Sequence, residues 1–442
     1  MSDTIYAPST LVGRSGVTVV RVSGSRAGEA LSALLAHTPL PPPRRASLRR
    51  LVSPSDGSPL DRGLVLWFPA PASFTGEDMV ELHVHGGRAV SQALLTALGK
   101  LPGLRLAEPG EFARRAFEAG RLDLTEVEGI ADLVDAETEA QRRQALRQME
   151  GALGGLVESW REQLVGLLAR LEALLDFPEE GLPPELEREL ASGIKALATE
   201  IQDHLSDDRR GERLRAGFSV AILGAPNVGK SSLLNWLARR DAAIVSTTAG
   251  TTRDVIEVDL DLGGYPVAVA DTAGLRDSDD PIEGEGIRRA KARAASADLK
   301  LVMFDASAEP EAASLSLLGE RSIAVANKID LAKCGPNRRL PPGSLPISVV
   351  TGAGLDRLLA TVEERVREGF APAEAAPVIT RARHREALEM ALRELREAQT
   401  QPELELMAEN LRLAARALGR IGGRIDVEDV LDRLFREFCI GK

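Results

Sequence analysis

The sequence predicts a multidomain chain of the α/β and all-α classes, with a helical domain split by an inserted α/β domain and preceded by another α/β domain. Three observations carry that prediction. Short β-branched and apolar runs bounded by Gly and Pro crowd the first 118 residues. A stretch rich in Glu, Ala, Leu, Arg and Gln follows, with apolar residues at helical spacing, and its character returns near the end of the chain. Between these helical stretches, Phe218 to about Arg367 alternates apolar strands with polar helices, the pattern of a mostly parallel sheet.

Each element follows in order. Val17–Val22 and Leu64–Phe68 read as strands, and Met79–His85 alternates as a half-buried strand does. The Pro-rich, basic stretch Pro39–Arg50 reads as a loop. From about Glu111 to Leu205 the pattern is helical, broken at Gly181–Pro184, with long packing helices over 125–175. After the linker Ala371–Pro377, helices are expected over Arg381–Ala398, Pro402–Leu418 and Val427–Phe438. That trailing flank, about 65 residues, is short for an independent core. One helical domain interrupted by an insertion accounts for both flanks, because domain termini lie close together. The expected boundaries are 1–118, 119–213, 214–370 and 371–442.

Charge and composition exclude several classes. With 55 Lys and Arg against 66 Asp and Glu, the net charge is -11. Such a chain does not hold nucleic acid by overall charge, so an RNA contact needs a local basic patch or a partner. Aromatics at 3% leave few platforms for stacking bases. Cys334 and Cys439 do not make a disulfide framework, which points to a reducing compartment. No basic-then-apolar leader opens the sequence, and no apolar run approaches the roughly 20 residues of a membrane span. A soluble, cytoplasmic chain with no membrane partner is expected.

The inserted domain carries the strongest motif. Gly224-Ala-Pro-Asn-Val-Gly-Lys-Ser231 matches the phosphate-binding loop G-x-x-x-x-G-K-[ST], follows an apolar strand and opens a helix. Backbone N–H groups of such a loop turn onto phosphates at a helix N-terminus. Asn227, Val228, Gly229, Lys230, Ser231 and Ser232 are therefore nucleotide-binding candidates, with Lys230 on the β- and γ-phosphates and Ser231 on magnesium. Asp271-Thr-Ala-Gly274 ends a second strand: Asp271 acts on magnesium, usually through water, and the Gly274 N–H senses the γ-phosphate. Asn327-Lys328-Ile-Asp330 ends a third. Its Asp330 carboxylate accepts from N1–H and the 2-amino group of guanine, a donor pair that adenine lacks, so GTP is selected over ATP. Asn327 bonds the purine edge and Lys328 packs along the base. Between the first two motifs, Ser246 to Asp254 is a hydroxyl-rich loop able to close over a γ-phosphate. A P-loop GTPase domain follows from these motifs in this order.

Hydrolysis needs an oriented water. Leu275 stands after Gly274, where many GTPases carry Gln, so another group must act. The acids Asp277, Asp279, Asp280, Glu283 and Glu285 follow, and composition does not choose among them.

The chain resembles the bacterial tRNA-modification GTPase family MnmE, also called TrmE. The resemblance rests on Gly13-Arg-Ser-Gly-Val17, Val20-Arg-Val-Ser-Gly24, Gly76-Glu-Asp78, Glu81-Leu-His-Val-His-Gly-Gly87, Pro109 to Phe117 and Arg121-Leu-Asp-Leu124. Gly250-Thr-Thr-Arg-Asp254, Asp271 to Arg276 and the terminal Phe438-Cys-Ile-Gly-Lys442 complete it. It implies an N-terminal folate-binding α/β domain, a split helical domain and an inserted Ras-like GTPase domain, in a homodimer joined through the N-terminal domains. With the FAD-dependent partner MnmG, the family modifies C5 of the wobble uridine of tRNA, a folate such as 5-formyl-tetrahydrofolate supplying one carbon. Matching positions imply potassium at Asn227, Ser246, Thr248 and Thr251, magnesium at Ser231 and Thr252, and a water-orienting Glu283. They imply folate contacts at Arg21, Glu81, Arg121 and Lys442, and a functional Cys439 beside them. Ser348, before Val349 rather than the usual Ala, falls in the last guanine loop. Ser9 to Val12 replaces the usual Thr-Pro-Pro, and Arg121 replaces a common Lys.

Blander readings compete at some positions. His83 and His85 share a strand face as H-x-H, but without further ligands nearby they read as structural or pocket-lining. The run Arg44–Arg50 reads as a solvated loop before an RNA contact. A second function class is a GTP-controlled RNA or ribosome-assembly factor without covalent chemistry, which the acidic charge and the two ends of the chain disfavour.

Overall fold

The computed structural model describes residues 3–10, 13–176, 184–207, 209–240, 243–244, 257–271, 297–331, 340–370, 379–425, 431, 434–435, 438 and 441. They form two compact units: 1–131 with 149–162 and 415–442, and 132–148 with 163–414.

The first unit is built on β1 (Thr4–Pro8), β2 (Ser15–Ser23), α1 (Ala27–Leu34), β3 (Ser47–Val52), β4 (Pro59–Phe68), β5 (Met79–Gly86), α2 (Arg88–Gly99) and β6 (Leu104–Leu106). Its sheet runs β3-β4-β5-β2-β1-β6, antiparallel except where β6 lies parallel to β1. Alternation decides what each face carries. Val20, Val22, Val65, Val80, Leu82 and Val84 point to a core with Leu31, Leu34, Leu94 and Leu98 of the two helices. Each such side chain contributes roughly 1.5–3 kcal/mol when fully buried. The intervening residues, Arg21 and Glu81 among them, therefore face the other way.

The expected strands are present, but the basic stretch is not all loop. Its end belongs to β3, whose Ser47–Leu51 pairs in register with Asp61–Val65 of β4. Leu51 is fully buried and Leu48 is exposed on the opposite face, so the segment is held by its pairing with β4 more than by an apolar stripe of its own.

The helical region is cut more finely than its composition announces: α3 (Glu111–Glu118), α4 (Leu124–Val134), α5 (Glu139–Met149), α6 (Ala152–Asp176) and α7 (Pro184–Leu205). Capping boxes make two of the cuts. Asp123 Oδ1 accepts the Glu126 N–H at 2.8 Å while Glu126 Oε2 accepts the Asp123 N–H at 2.7 Å. Thr138 and Gln141 exchange the same pair of bonds before α5. In the first unit, Leu431, Leu434, Phe435 and Phe438 near the chain end pack on Ala113, Leu124 and Val127.

The second unit adds α8 (Arg210–Ala216), β7 (Phe218–Gly224), α9 (Lys230–Leu237), β8 (Glu257–Leu262), β9 (Tyr265–Asp271), β10 (Leu299–Asp305), α10 (Ala312–Leu315), β11 (Ser322–Asn327), β12 (Leu345–Pro346), α11 (Leu355–Phe370), α12 (Ala382–Thr400) and the part of α13 (Leu404–Ile421) before 415. Its sheet order is β12-β11-β10-β7-β9-β8, all parallel but for β8. The buried Val220, Ile222, Met303, Val325 and Val269 fill one core with Leu233, Leu234, Leu358 and Val362. Such doubly wound sheets bind ligands beyond the carboxyl ends of their strands. α7 packs against α12 across the inserted segment. Arg385 of α12, 7% exposed, is neutralised by Asp207 at 2.7 Å and Glu212 at 2.8 Å.

Candidate functional site

The carboxyl ends of β7, β10 and β11 converge on one set of polar groups. The turn after β7 needs left-handed backbone: Asn227 has φ 62° and Gly229 φ 101°. A Cβ at position 229 would lie 2.3 Å from Asn327 Nδ2, so the loop and β11 approach too closely there for any side chain. Lys230 opens α9 and is 8% exposed. Its Nζ donates to the carbonyls of Gly224 and Ala225, both at 2.9 Å, which holds the cation within the curve of the loop. Ser231 and Ser232 lie exposed on the first turn of α9, and Val228 is buried beneath.

The end of β11 is tied to that loop directly. Asn327, 3% exposed, donates through Nδ2 to the Val228 carbonyl at 2.8 Å and accepts the Val349 N–H at Oδ1, 3.2 Å. Its side chain thus fixes the spacing between the phosphate loop and the last loop of the sheet. Ser348 Oγ, buried, donates to Asp330 Oδ1 at 2.6 Å and accepts the Thr351 N–H. Asp330 itself is exposed, with one oxygen braced by Ser348. Lys328 stands in left-handed backbone at φ 67°, a conformation that costs energy in a non-glycine residue and concentrates at working sites. Its Nζ donates to Asp305 Oδ2 at 2.7 Å. Burial opposes ionisation of Asp305, but the bonds from Lys328 and Ser307 prevail and hold its carboxyl below the ordinary range.

Val349 is accommodated half-buried with its N–H engaged, so the larger side chain leaves the loop intact. Sequence reasoning missed Asp305. The available signal was a second apolar strand ending in Asp, Leu299–Asp305, as β9 ends in Asp271. For Asp271 the described feature is its place as the last residue of β9. Ser246, Thr248, Thr251, Thr252, Gly274, Glu283, Cys439 and Lys442 lie outside the described residues.

In the first unit the structure brings Arg21 and Glu81 together as register partners on β2 and β5. Arg21 Nη2 and Nε donate to Glu81 Oε1 at 2.8 and 3.2 Å. The guanidinium lies 5.4 Å from the Phe74 ring centroid and 5.6 Å from that of Phe112, two neighbours that the motifs did not single out. The side chain of Arg121, largely exposed, approaches Gly76 instead, and no contact joins it to the pair. His83 Nε2 stands 3.5 Å from Glu81 Oε2, and His85 Nδ1 lies 2.9 Å from Asp61. The two imidazoles turn to separate carboxylates, and no metal-ligand cluster occurs among the described residues. Ser9 Oγ donates to the Gly441 carbonyl at 2.9 Å, so the departure at Ser9 ties the terminal signature to the end of β1. Among the described residues no helix is long and apolar enough to cross a membrane.

Family comparison agrees with this layout. Residues 4–121 match the family model "GTP-binding protein TrmE N-terminus" and residues 124–439 match "MnmE helical domain". A Rhodospirillum rubrum protein named tRNA modification GTPase MnmE is 58% identical over 455 positions, covering 100% of this chain and 99% of its own. Proteins of the same name from Parvibaculum lavamentivorans and Paramagnetospirillum magneticum are 57% and 56% identical, with full coverage of both chains. The chain belongs to the MnmE (TrmE) family.

Proposed function

We propose that the protein hydrolyses GTP and couples the hydrolysis to modification of C5 of the wobble uridine of tRNA. The observation that carries the first part is the bond from Asn327 Nδ2 to the Val228 carbonyl, which joins a guanine-type loop to a phosphate loop in one rigid unit. In the reaction, a water oxygen bonds to the γ-phosphorus as the bond to the β–γ bridging oxygen breaks, and GDP leaves. Lys230 leaves the Gly224 and Ala225 carbonyls for non-bridging phosphate oxygens and offsets their charge. Ser231 suits magnesium, a hard cation with oxygen ligands, and Thr252 would be its second protein ligand. Asn227 offers an exposed amide oxygen suited to potassium, with Ser246, Thr248 and Thr251 completing that shell. These cations supply positive charge where phosphate charge develops. Asn227→Ala should abolish potassium stimulation of steady-state GTP hydrolysis, leaving a rate equal in potassium and sodium. Stimulation at the original ratio would remove the ion from Asn227.

The second part rests on family membership and on the N-terminal sheet. Arg21 and Glu81, framed by Phe74 and Phe112, combine an acceptor pair, a cation and aromatic faces, which suits the flat, N–H-bearing ring and anionic tail of a folate. A folate would supply a one-carbon unit when bound, and the family reading would add Arg121, Lys442 and Cys439 to the residues that hold it. The sheet face carrying this pair leaves Val17, Leu48 and Leu64 at 53, 52 and 43% exposure. An open apolar face of this kind supports a homodimer through the N-terminal domains. An FAD-dependent partner of the MnmG type completes the reaction. The proposed organisation is a GTPase domain at 214–370 set between helical segments 119–213 and 371–442, after an N-terminal domain at 1–118.

Mass spectrometry of tRNA nucleosides from cells with and without the gene tests the whole reading. C5-aminomethyl-type uridines should vanish on deletion and return with the gene. An unchanged profile would move the protein to the GTP-controlled RNA-assembly class.

A further inference from the structure

We propose that Asp305 is a positioning residue for the base-packing Lys328: it pins the far end of that side chain, so that the four-carbon stem lies extended beneath the purine. This rests on the GTP reading above and adds a residue that neither the motifs nor the reaction assigns.

The first observation is a chain of bonds that ends on the lysine. Asp305 Oδ1 accepts the Ser307 N–H at 2.8 Å and the Ser307 hydroxyl at 2.6 Å, while Oδ2 accepts from Lys328 Nζ at 2.7 Å. One oxygen thus orients the carboxylate and the other holds the ammonium. The backbone adds a second brace. Asp305 is the register partner of Asn327, and the Ala306 N–H donates to the Asn327 carbonyl at 2.7 Å. The anchor therefore stands at a fixed distance from the residue that precedes Lys328.

The second observation is direction. β10 lies between β11 and β7 in the sheet. A side chain that starts after β11 and ends at the tip of β10 runs from the Asp330 side of the site toward the phosphate loop. That is the line joining a base read by Asp330 to phosphates held by the loop. Lys328 starts this run from left-handed backbone at φ 67°. Both ends of the stem are fixed, one by the backbone and one by Asp305.

The third observation is how little the pair gives the fold. The side chains of Lys328 and Asp305 are 28% and 21% exposed, and an ion pair open to water contributes little to stability. It does not offset the cost of a left-handed lysine. Its use is pre-organisation. A free lysine spreads over many rotamers, which packing against a base would have to freeze. Protein groups that fix the stem spare the nucleotide that cost. A stem beneath the ring meets the purine's face and not its edge, so Asp305 governs affinity where Asp330 governs selectivity.

Two substitutions in the full-length protein test this. Asp305→Asn isolates the pair, because the amide oxygen can still accept from Ser307 while the amide NH2 faces the ammonium. Lys328→Met removes the charge and keeps an apolar stem that needs no anchor. Affinities are read by displacing fluorescently labelled GDP with GDP, GTP or ITP, which lacks the 2-amino group. Asp305→Asn should weaken all three by one common factor, about three- to tenfold. The single-turnover rate at saturating GTP should stay within about twofold of wild type. In the Lys328→Met background the same substitution should weaken none of them. It removes a negative charge near the phosphates in both backgrounds, so the comparison cancels that effect and leaves the anchor alone. Equal weakening in both backgrounds would make Asp305 a residue of the turn, and unchanged affinity in the lysine background would leave the ion pair without a role in binding. Either result overturns the proposal and leaves the GTP reading intact. A wild-type protein that binds no guanine nucleotide would overturn both.

Discussion

Asp330→Asn is expected to turn the nucleotide site from guanine to xanthine. In the proposed site the Asp330 carboxylate accepts two N–H groups from guanine, and hydrogen bonds to a charged group each contribute about 1.5–3 kcal/mol. Losing both weakens GTP by at least about 100-fold. The geometry also dictates what replaces them. Ser348 Oγ donates to Asp330 Oδ1 at 2.6 Å, so it will take the amide oxygen of the new side chain and leave the amide NH2 toward the base. Xanthine carries a carbonyl where guanine carries its 2-amino group and accepts from that NH2. Affinity for XTP should therefore rise as affinity for GTP falls, a double effect that simple damage to the loop cannot give. Titration of both nucleotides against wild type and variant reads it. A variant that still prefers GTP, or rejects both nucleotides equally, would show that Asp330 does not read the base.

The bracing that makes this prediction specific was only partly visible in the sequence. Gly224 to Ser231 and Asn327 to Asp330 stand out because their spacing encodes local backbone geometry: φ 101° at Gly229 and φ 67° at Lys328 belong to the motifs themselves. Contacts between distant segments leave no such spacing. The bond from Asn327 to Val228 spans 99 residues and that from Lys328 to Asp305 spans 23. The partner of Lys328 is one carboxylate among 66 acids, and only the folded sheet selects it. The pair Arg21 and Glu81 shows the same division. The motifs contained both residues, but their ion pair comes from register across two strands.

Helix boundaries failed for a different reason. Leu122 to Met149 keeps helical composition throughout, and apolar periodicity alone runs α4 into α5. The boundaries are written in polar residues, Asp123 with Glu126 and Thr138 with Gln141, whose side chains bond the backbone that a continuing helix would satisfy internally. The basic stretch before Val52 misled in the opposite direction. Its Pro and Arg content signals a loop, whereas Ser47–Leu51 is held as a strand by its register with Asp61–Val65, a pairing that local composition does not encode.

Glu283→Ala is expected to lower single-turnover GTP hydrolysis by about 100- to 10,000-fold, the range for a positioned acid–base group, while nucleotide affinity stays within about twofold. The reasoning separates two tasks that the chain assigns to different residues. On the proposed reading, binding free energy comes from Lys230, Asn327 and Asp330, none of which Glu283 needs to touch. The attacking water must be held in line with the leaving bridging oxygen, and Leu275 cannot hold it, having neither donor nor acceptor in its side chain. The group that orients it then comes from a partner or from another residue of the loop after Gly274. Among Asp277, Asp279, Asp280, Glu283 and Glu285, family resemblance selects Glu283. Glu285→Ala supplies the control: it removes equal charge from the same acidic segment and should leave hydrolysis within about threefold. If both substitutions lower the rate alike, the segment acts by its net charge and no single carboxylate orients the water. If Glu283→Ala weakens GTP binding in proportion to the lost rate, the residue belongs to ground-state binding. Only a fall in rate at constant affinity, confined to Glu283, assigns it to the transition state.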